Sequence, residues 1–220
     1  YRNDRWSEVK DNIFNALKIY SLALRYEFNP GTTVWLGRRI SRQIPVMGAM
    51  DGLQFEKKIK DVSVGVIAGT RPDYRDYGFN ASLMQFGAYA SHQITAKKGF
   101  AQTTLSIIEQ TNSGKTDRRF AYLQHTNSLI NKVYFFASAE VDLFMKTVQN
   151  QDAPPRLTNV YFSLRYRPAR KVSLSASYSR RNNIIYYESY SENIEKLLQS
   201  GAFSGYGLSV NYQPVNKISV

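Results

Sequence analysis

The chain has 220 residues, enough for one large domain or two small ones, and 43% of them are hydrophobic, which excludes a disordered polymer. No run approaches about 18 consecutive apolar residues and mean hydropathy is -0.41, so a helical membrane protein is excluded, although a barrel of short, half-apolar spans is not. The absence of cysteine excludes disulfides, thiolate metal sites and cysteine nucleophiles, and the net charge of +12 is scattered without a basic run, so no nucleic-acid partner is expected.

Alternation with period two, punctuated by turn residues, predicts about twelve strands. The first runs over 16–28, with Tyr20, Leu22, Leu24, Tyr26 and Phe28 on one face and Ser21, Ala23, Arg25 and Glu27 on the other. "NPG" at 29–31 turns the chain into "TTVWLGRRI". "AMDGLQFEKKI" follows, then a tight turn at Lys60-Asp61, then "VSVGVIAG". Further strands are expected at 80–94, 100–112, 117–128, 132–145, 157–168, 172–183 and 203–213, and the last begins at Ile218. Gln85 and Gly87 break the alternation of 80–94, which suggests a bulge there. "KVSLSASYSRR" (171–181) alternates most evenly, with Val172, Leu174, Ala176 and Tyr178 against serine, lysine and arginine.

The connections sort by length. Every second one is short: "NPG", "KD", "AKKG", "SLIN", "PARK" and "PVNK". Those between them are mostly longer and more polar: 41–48, 70–79, 113–116, 147–156 and 184–202. Short turns at one end and long loops at the other are the habit of outer-membrane barrels, whereas a soluble sandwich has no reason to sort them. Residues 1–220 are therefore expected to form a single transmembrane antiparallel β-barrel domain. The strand cut short after Ile218 suggests a piece of a longer chain. Within the last long loop, "SENIEKLLQSG" (191–201) reads as a short capped helix.

The apolar faces carry aliphatics at mid-strand and aromatics near the ends, including Phe120, Tyr122 and Phe162. Tyr166, Tyr178, Tyr206 and Tyr212 are expected in an interfacial girdle, where an amphipathic ring suits the boundary of hydrocarbon and water. "YRPARKVS" (166–173) and "YQPVNKIS" (212–219) share Tyr-x-Pro-x-x-Lys, which would place Tyr166 and Tyr212 at one height. The polar faces would line a water-filled lumen. Arg25, Arg39, Lys132, Arg165, Lys171 and Arg181 are its expected basic residues, opposed by Glu27, Glu140 and Asp142. Tyr134 and Phe136 fall on the same nominal inward face and would fill it or mark burial against protein.

Over 36–80 the sequence resembles outer-membrane β-barrel proteins of Bacteroidota, through Gly37-Arg38-Arg39, Gly48-Ala49-Met50-Asp51-Gly52-Leu53 and Gly69-Thr70-Arg71-Pro72-Asp73. The resemblance implies the outer membrane of a Gram-negative cell and a longer full-length member. It implies little about cargo.

Catalytic and metal signals are weak. "GAMDGL" has the glycines of a tight turn, with Asp51 able to accept from nearby backbone N–H groups and no second carboxylate beside it. "GTRPDYRDYG" (69–78) reads as an exposed loop with local charge pairing. "TNSGKT" (111–116) lacks the first glycine and the strand-to-helix setting of a phosphate loop. His92 and His125 are the two histidines, and Ser128, three residues after His125, would point to the opposite strand face. No enzyme activity, cofactor or metal is therefore expected. The functional expectation is a channel or passive uptake pore with a mildly basic lumen, contacting the lipid bilayer and lipopolysaccharide. The alternative is a non-conducting structural or partner-binding barrel within a larger outer-membrane secretion or nutrient-uptake complex.

Overall fold

The computed structural model describes residues 19–73, 77–145, 155–182 and 202–213. Eleven strands succeed one another: β1 (Leu22–Asn29), β2 (Thr32–Ile40), β3 (Ala49–Ile59), β4 (Val62–Thr70), β5 (Leu83–Ala96) and β6 (Gly99–Asn112), then β7 (Lys115–Asn127), β8 (Val133–Met145), β9 (Arg156–Ala169), β10 (Val172–Asn182) and β11 (Ala202–Tyr212). Each pairs with its chain neighbour, giving one antiparallel sheet in the order β1 to β11. Alternating direction leaves β1 and β11 running the same way. Among the described residues each has one paired edge, so antiparallel closure between them needs an odd number of further strands.

The turns at one end are tight. Pro30-Gly31, Lys60-Asp61, Lys97-Lys98 and Arg170-Lys171 each join two strands, and 128–132 joins β7 to β8. At the other end lie 41–48, which contains a single 3-10 turn (Pro45–Met47), and 71–82. The expected loop at 113–116 is instead a two-residue turn, because Ser113 and Gly114 both take positive φ (50° and 77°), the pair of values a tight hairpin requires. The twelfth strand at Ile218 and the helix at 191–201 lie outside the described residues.

No bulge interrupts β5, whose register with β4 and β6 is continuous; Gln85 and Gly87 belong to its covered face. Register shifts fall instead at Glu27/Asn29, Gln110/Thr111, Arg119/Phe120, Glu140/Val141 and Val172/Leu174, three of the five flanking β7 and β8.

The two faces of the sheet are inverted relative to a water-soluble fold. On β10 and β11, Leu174, Ala176 and Tyr178 align with Val210, Leu208 and Tyr206 on one face. Leu208 there is 88% exposed, and at the other end of the sheet Leu24 on β1 is 75% exposed. Val62, Val64 and Val66 on β4 and Phe86 on β5 continue this open apolar surface. The opposite face is polar and, from β3 to β8, covered: Gln54, Ser91, Thr104, Ser106, Gln110 and Glu140 are all buried. A contiguous apolar exterior of this extent is stable only against another apolar phase. The architecture is all-β, an antiparallel β-barrel wall of the outer-membrane kind, apolar outside and polar within.

Candidate functional site

The covered polar face holds the site, and the β2–β3 loop organises it. Instead of projecting away from the sheet, 41–48 folds onto that face. Ile44 is fully buried, Met47 and Met50 nearly so, and they pack with Ile67 of β4, Tyr89 of β5, Ile108 of β6, and Phe120 and Tyr122 of β7. Gly87 makes the approach possible: a Cβ there would stand 2.8 Å from Ile67 Cγ2, 3.2 Å from Met47 Sδ and 3.3 Å from Ile44 Cδ1. Gln102 on β6 donates to Gln43 Oε1 at 2.9 Å and ties the loop down. A small apolar core thus sits within an otherwise polar interior.

Phe120 and Tyr122, expected on the apolar exterior, are therefore inward and buried. The reason is the loop: its Ile44 and Met47 give inward aromatics an apolar partner that a water-filled interior would lack. Tyr89 is another inward aromatic. Its ring crosses Gly65, where a Cβ would lie 2.5 Å from its Cζ, and its hydroxyl accepts from Gln54 at 2.9 Å and donates to Glu56 at 2.6 Å.

A charged network lies beside this core. The Arg118 guanidinium, buried and 3.8 Å from the Phe120 ring centroid, donates to Asp142 at 2.7 Å and to Glu140 at 2.9 Å. Thr158 completes Asp142 at 2.6 Å and Asn159 completes Glu140 at 2.8 Å. One buried cation shared between two hydrogen-bonded carboxylates satisfies the rule that interior charge must be paired. From this network an amide relay runs across the strands: Gln85 donates to Gln110 at 3.0 Å, and Gln110 donates to Asp117 at 3.0 Å. The loop, the two glutamines of the relay, Arg118 and Phe120 line a cavity of about 240 Å³, bordered also by Arg71, Pro72 and Tyr77 from the β4–β5 connection.

The nine residues expected to line a lumen separate into four groups. Glu140 and Asp142 lie in the buried network. Arg25 and Glu27 share the polar side of β1 and pair with each other at 2.9 Å; Arg39 lies on the polar side of β2 with its guanidinium 4.3 Å from the Trp35 ring centroid. Arg165 on β9 and Arg181 on β10 face the same way in a serine-rich stretch, where Ser163 aligns with Ser177 and Ser175 with Ser209 across β9, β10 and β11. Lys132 and Lys171 are different. Both lie in the tight turns outside the strands, Lys132 with φ 65° and its Nζ donating to the Pro168 carbonyl at 2.7 Å. β8 starts at Val133, one residue later than expected, which moves Lys132 off the wall; β10 starts at Val172 as expected, and Lys171 precedes it.

The four girdle tyrosines occupy two rows on the apolar exterior. Tyr178 and Tyr206 are cross-strand partners with ring centroids 4.9 Å apart, and Phe162 extends the row at 6.2 Å from Tyr178. Tyr166 and Tyr212 lie nearer the turns, opposite Leu174 and Val172 respectively, hence two positions apart along β10. Six residues separate Tyr206 from Tyr212 on β11, about 20 Å of strand.

His125 and Ser128 engage different partners. His125 Nδ1 lies 2.9 Å from Thr103 Oγ1, while Ser128 Oγ is engaged with the Phe100 backbone at 3.0 and 3.1 Å. Asp51 sits within β3, not in a tight turn, and receives both arms of Arg38, at 2.6 and 2.5 Å. That fork leaves it no role as the backbone-capping residue the sequence suggested. Arg38, which sequence reasoning passed over, also donates to the carbonyls of Ile19 and Tyr77 at the loop end of the apolar face.

No family model and no curated protein matches the sequence. Among solved structures the chain is similar to OmpT (in-vitro folded), an outer membrane protein of Vibrio cholerae, at 13% identity and a TM-score of 0.44. The similarity covers 86% of this chain and 62% of that one.

The inserted loop had a signal in the sequence. "IPVMG" at 44–48 places three apolar residues in a segment expected to be a polar external loop, and such residues need a surface to cover. Asp117 and Arg118 had none, because the register shift beside them removes the alternation from which an inward direction is read.

Proposed function

We propose that the chain forms a passive diffusion channel in the outer membrane of a Gram-negative cell, with the 41–48 loop narrowing its lumen. Bacteroidota are the group whose barrels the segment 36–80 resembles. The observation that carries this is the inversion of the two faces: from β1 to β11 the open face is mainly aliphatic and aromatic, and the opposite face holds the buried hydrogen-bonding side chains around a small apolar core. A wall of this kind separates lipid from a hydrated path. The exterior then contacts lipid and lipopolysaccharide, and its two aromatic rows mark the two interfaces.

Charge selectivity is expected to be mild. Arg25 is matched by Glu27, and Arg118 stands between two carboxylates, Glu140 and Asp142, so neither group adds a positive field to the path. Arg165 and Arg181 are exposed on the serine-lined wall and bias the path toward anions. No catalytic step or cofactor is assigned. Planar-bilayer recordings of the purified chain test the proposal: discrete conductance steps with weak anion preference support it, and a strong cation preference counts against it.

A second reading has its own support. The loop, the Arg118 network and inward Tyr134 and Phe136 occupy much of the interior against β3–β8. A barrel filled in that way would serve as a non-conducting, partner-binding subunit of a larger outer-membrane complex. Absence of conductance, together with co-purification of a stoichiometric partner, selects this second role.

A further inference from the structure

We propose that the cavity beneath the inserted loop is a binding subsite for a small uncharged solute bearing hydroxyl or amide donors, of the size and chemistry of a monosaccharide; the solute class refines the channel proposal and rests on it for the route of entry.

The direction of the amide relay is decisive. The Asp117 carboxylate accepts hydrogen bonds, so the Gln110 side chain must turn its NH2 toward it. Gln110 Oε1 is then the group presented to Gln85, which must donate its own NH2 in turn. The relay therefore ends on Gln85 Oε1. That oxygen has no hydrogen-bond partner, on a residue only 3% exposed that borders the cavity. Rotating either amide would set two oxygens or two NH2 groups against each other, so the polarity is fixed from the carboxylate outward. A buried acceptor of this sort is complemented by a donor and repelled by another acceptor.

Charge makes the same selection. Two cationic residues, Arg71 and Arg118, stand among three carboxylates, Asp117, Glu140 and Asp142, so no net positive field draws an anion inward. The carboxylates already accept from Gln110, Arg118, Thr158 and Asn159, which occupies the groups that would recognise a cation. The rest of the lining is apolar or aromatic, with Val46, Met47, Pro72 and Phe120. An apolar wall with a few oriented polar atoms suits a solute that has C–H faces and O–H edges.

The test is saturation-transfer-difference NMR on the full chain folded in a zwitterionic detergent, with glucose and gluconate as probes. Transfer to glucose is expected, with gluconate at least about tenfold weaker, since a site built around one buried acceptor discriminates strongly against an anion. Gln85→Leu removes the acceptor at nearly constant size and should weaken glucose by about tenfold or more. Val46→Trp fills the cavity from the loop without touching a strand ladder, so it remains informative if Gln85→Leu folds poorly, and it should abolish transfer. Gluconate binding as tight as glucose, no transfer to glucose, or unchanged glucose affinity in either folded variant overturns the proposal. Conductance measured on the same preparation separates the two inferences: current without glucose binding removes the subsite alone, and glucose binding without current removes the channel alone.

Discussion

Replacing Ile44 by aspartate should detach the β2–β3 loop from the interior while leaving the barrel wall intact. Ile44 has no exposed surface, and its side chain meets Ile67, Ile108 and the space above Gly87. Loss of a fully buried isoleucine costs about 2–5 kcal/mol, and an unpaired carboxylate in its place costs more. Of the contacts that remain, the Gln43–Gln102 hydrogen bond contributes only about 1 kcal/mol. Strands β2 and β3 pair along their whole lengths independently of the loop, so the penalty is relieved by undocking, not by unfolding. A loss of about 3 kcal/mol shifts the docked-to-undocked ratio by about 100-fold. Arg42 lies within the loop and offers a trypsin site whose cleavage follows the undocked population. Cleavage at Arg42 should therefore accelerate by up to about 100-fold, with a parallel rise in single-channel conductance, whereas Ile44→Val, at about 1 kcal/mol, should change it by about fivefold. Unchanged cleavage and conductance in folded Ile44→Asp would refute the claim that Ile44 holds the loop in place.

Three further outcomes follow from the same geometry. Leu174→Arg, on the apolar exterior between Tyr166 and Val210, should destabilise folding into bilayers by about 2–4 kcal/mol, while Ser175→Arg, facing inward beside Arg165, should be nearly neutral; equal tolerance at the two positions in a urea titration would mean the faces are assigned wrongly. Arg118→Met leaves Glu140 and Asp142 buried without their cation and should cost about 3–5 kcal/mol, much of it recovered by adding Glu140→Gln and Asp142→Asn, as a chemical-denaturation series would reveal. Gly65→Val drives a side chain into the Tyr89 ring and should cost about 1–3 kcal/mol, with Gly65→Val in a Tyr89→Leu background costing clearly less.

The wall was legible in the sequence where alternation meets no interruption. Along β10 the serines and the apolar residues divide between two faces without exception, and the register with β11 is unbroken through eleven consecutive partners, keeping that division from Tyr206 to Tyr212. The interior was less legible because alternation reports that two faces differ, not which one faces inward. Phe120 and Tyr122 alternate with Ala121 and Leu123, and only the loop packed against β7 makes the aromatic side the covered one. Contacts of that kind join residues such as Gln43 and Gln102, which no local pattern connects. Lys132 left the wall for a smaller reason, a one-residue difference in where β8 starts, whereas Lys171 lies in the turn that the expected strand 172–183 already left outside it.

The order of strands in the sheet also constrains how the protein is assembled. Every ladder joins chain neighbours, so the wall can lengthen hairpin by hairpin with short loop closures, a topology of low contact order. The 41–48 loop departs from this progression. It is synthesised before β4, yet its apolar residues settle against side chains of β4 to β7. Ile44 and Met47 therefore stay uncovered until seven of the eleven described strands exist, and the docking of the loop reports completion of β7. A wall that stops short of β7 would carry those residues exposed, a mark that distinguishes an unfinished wall from a finished one.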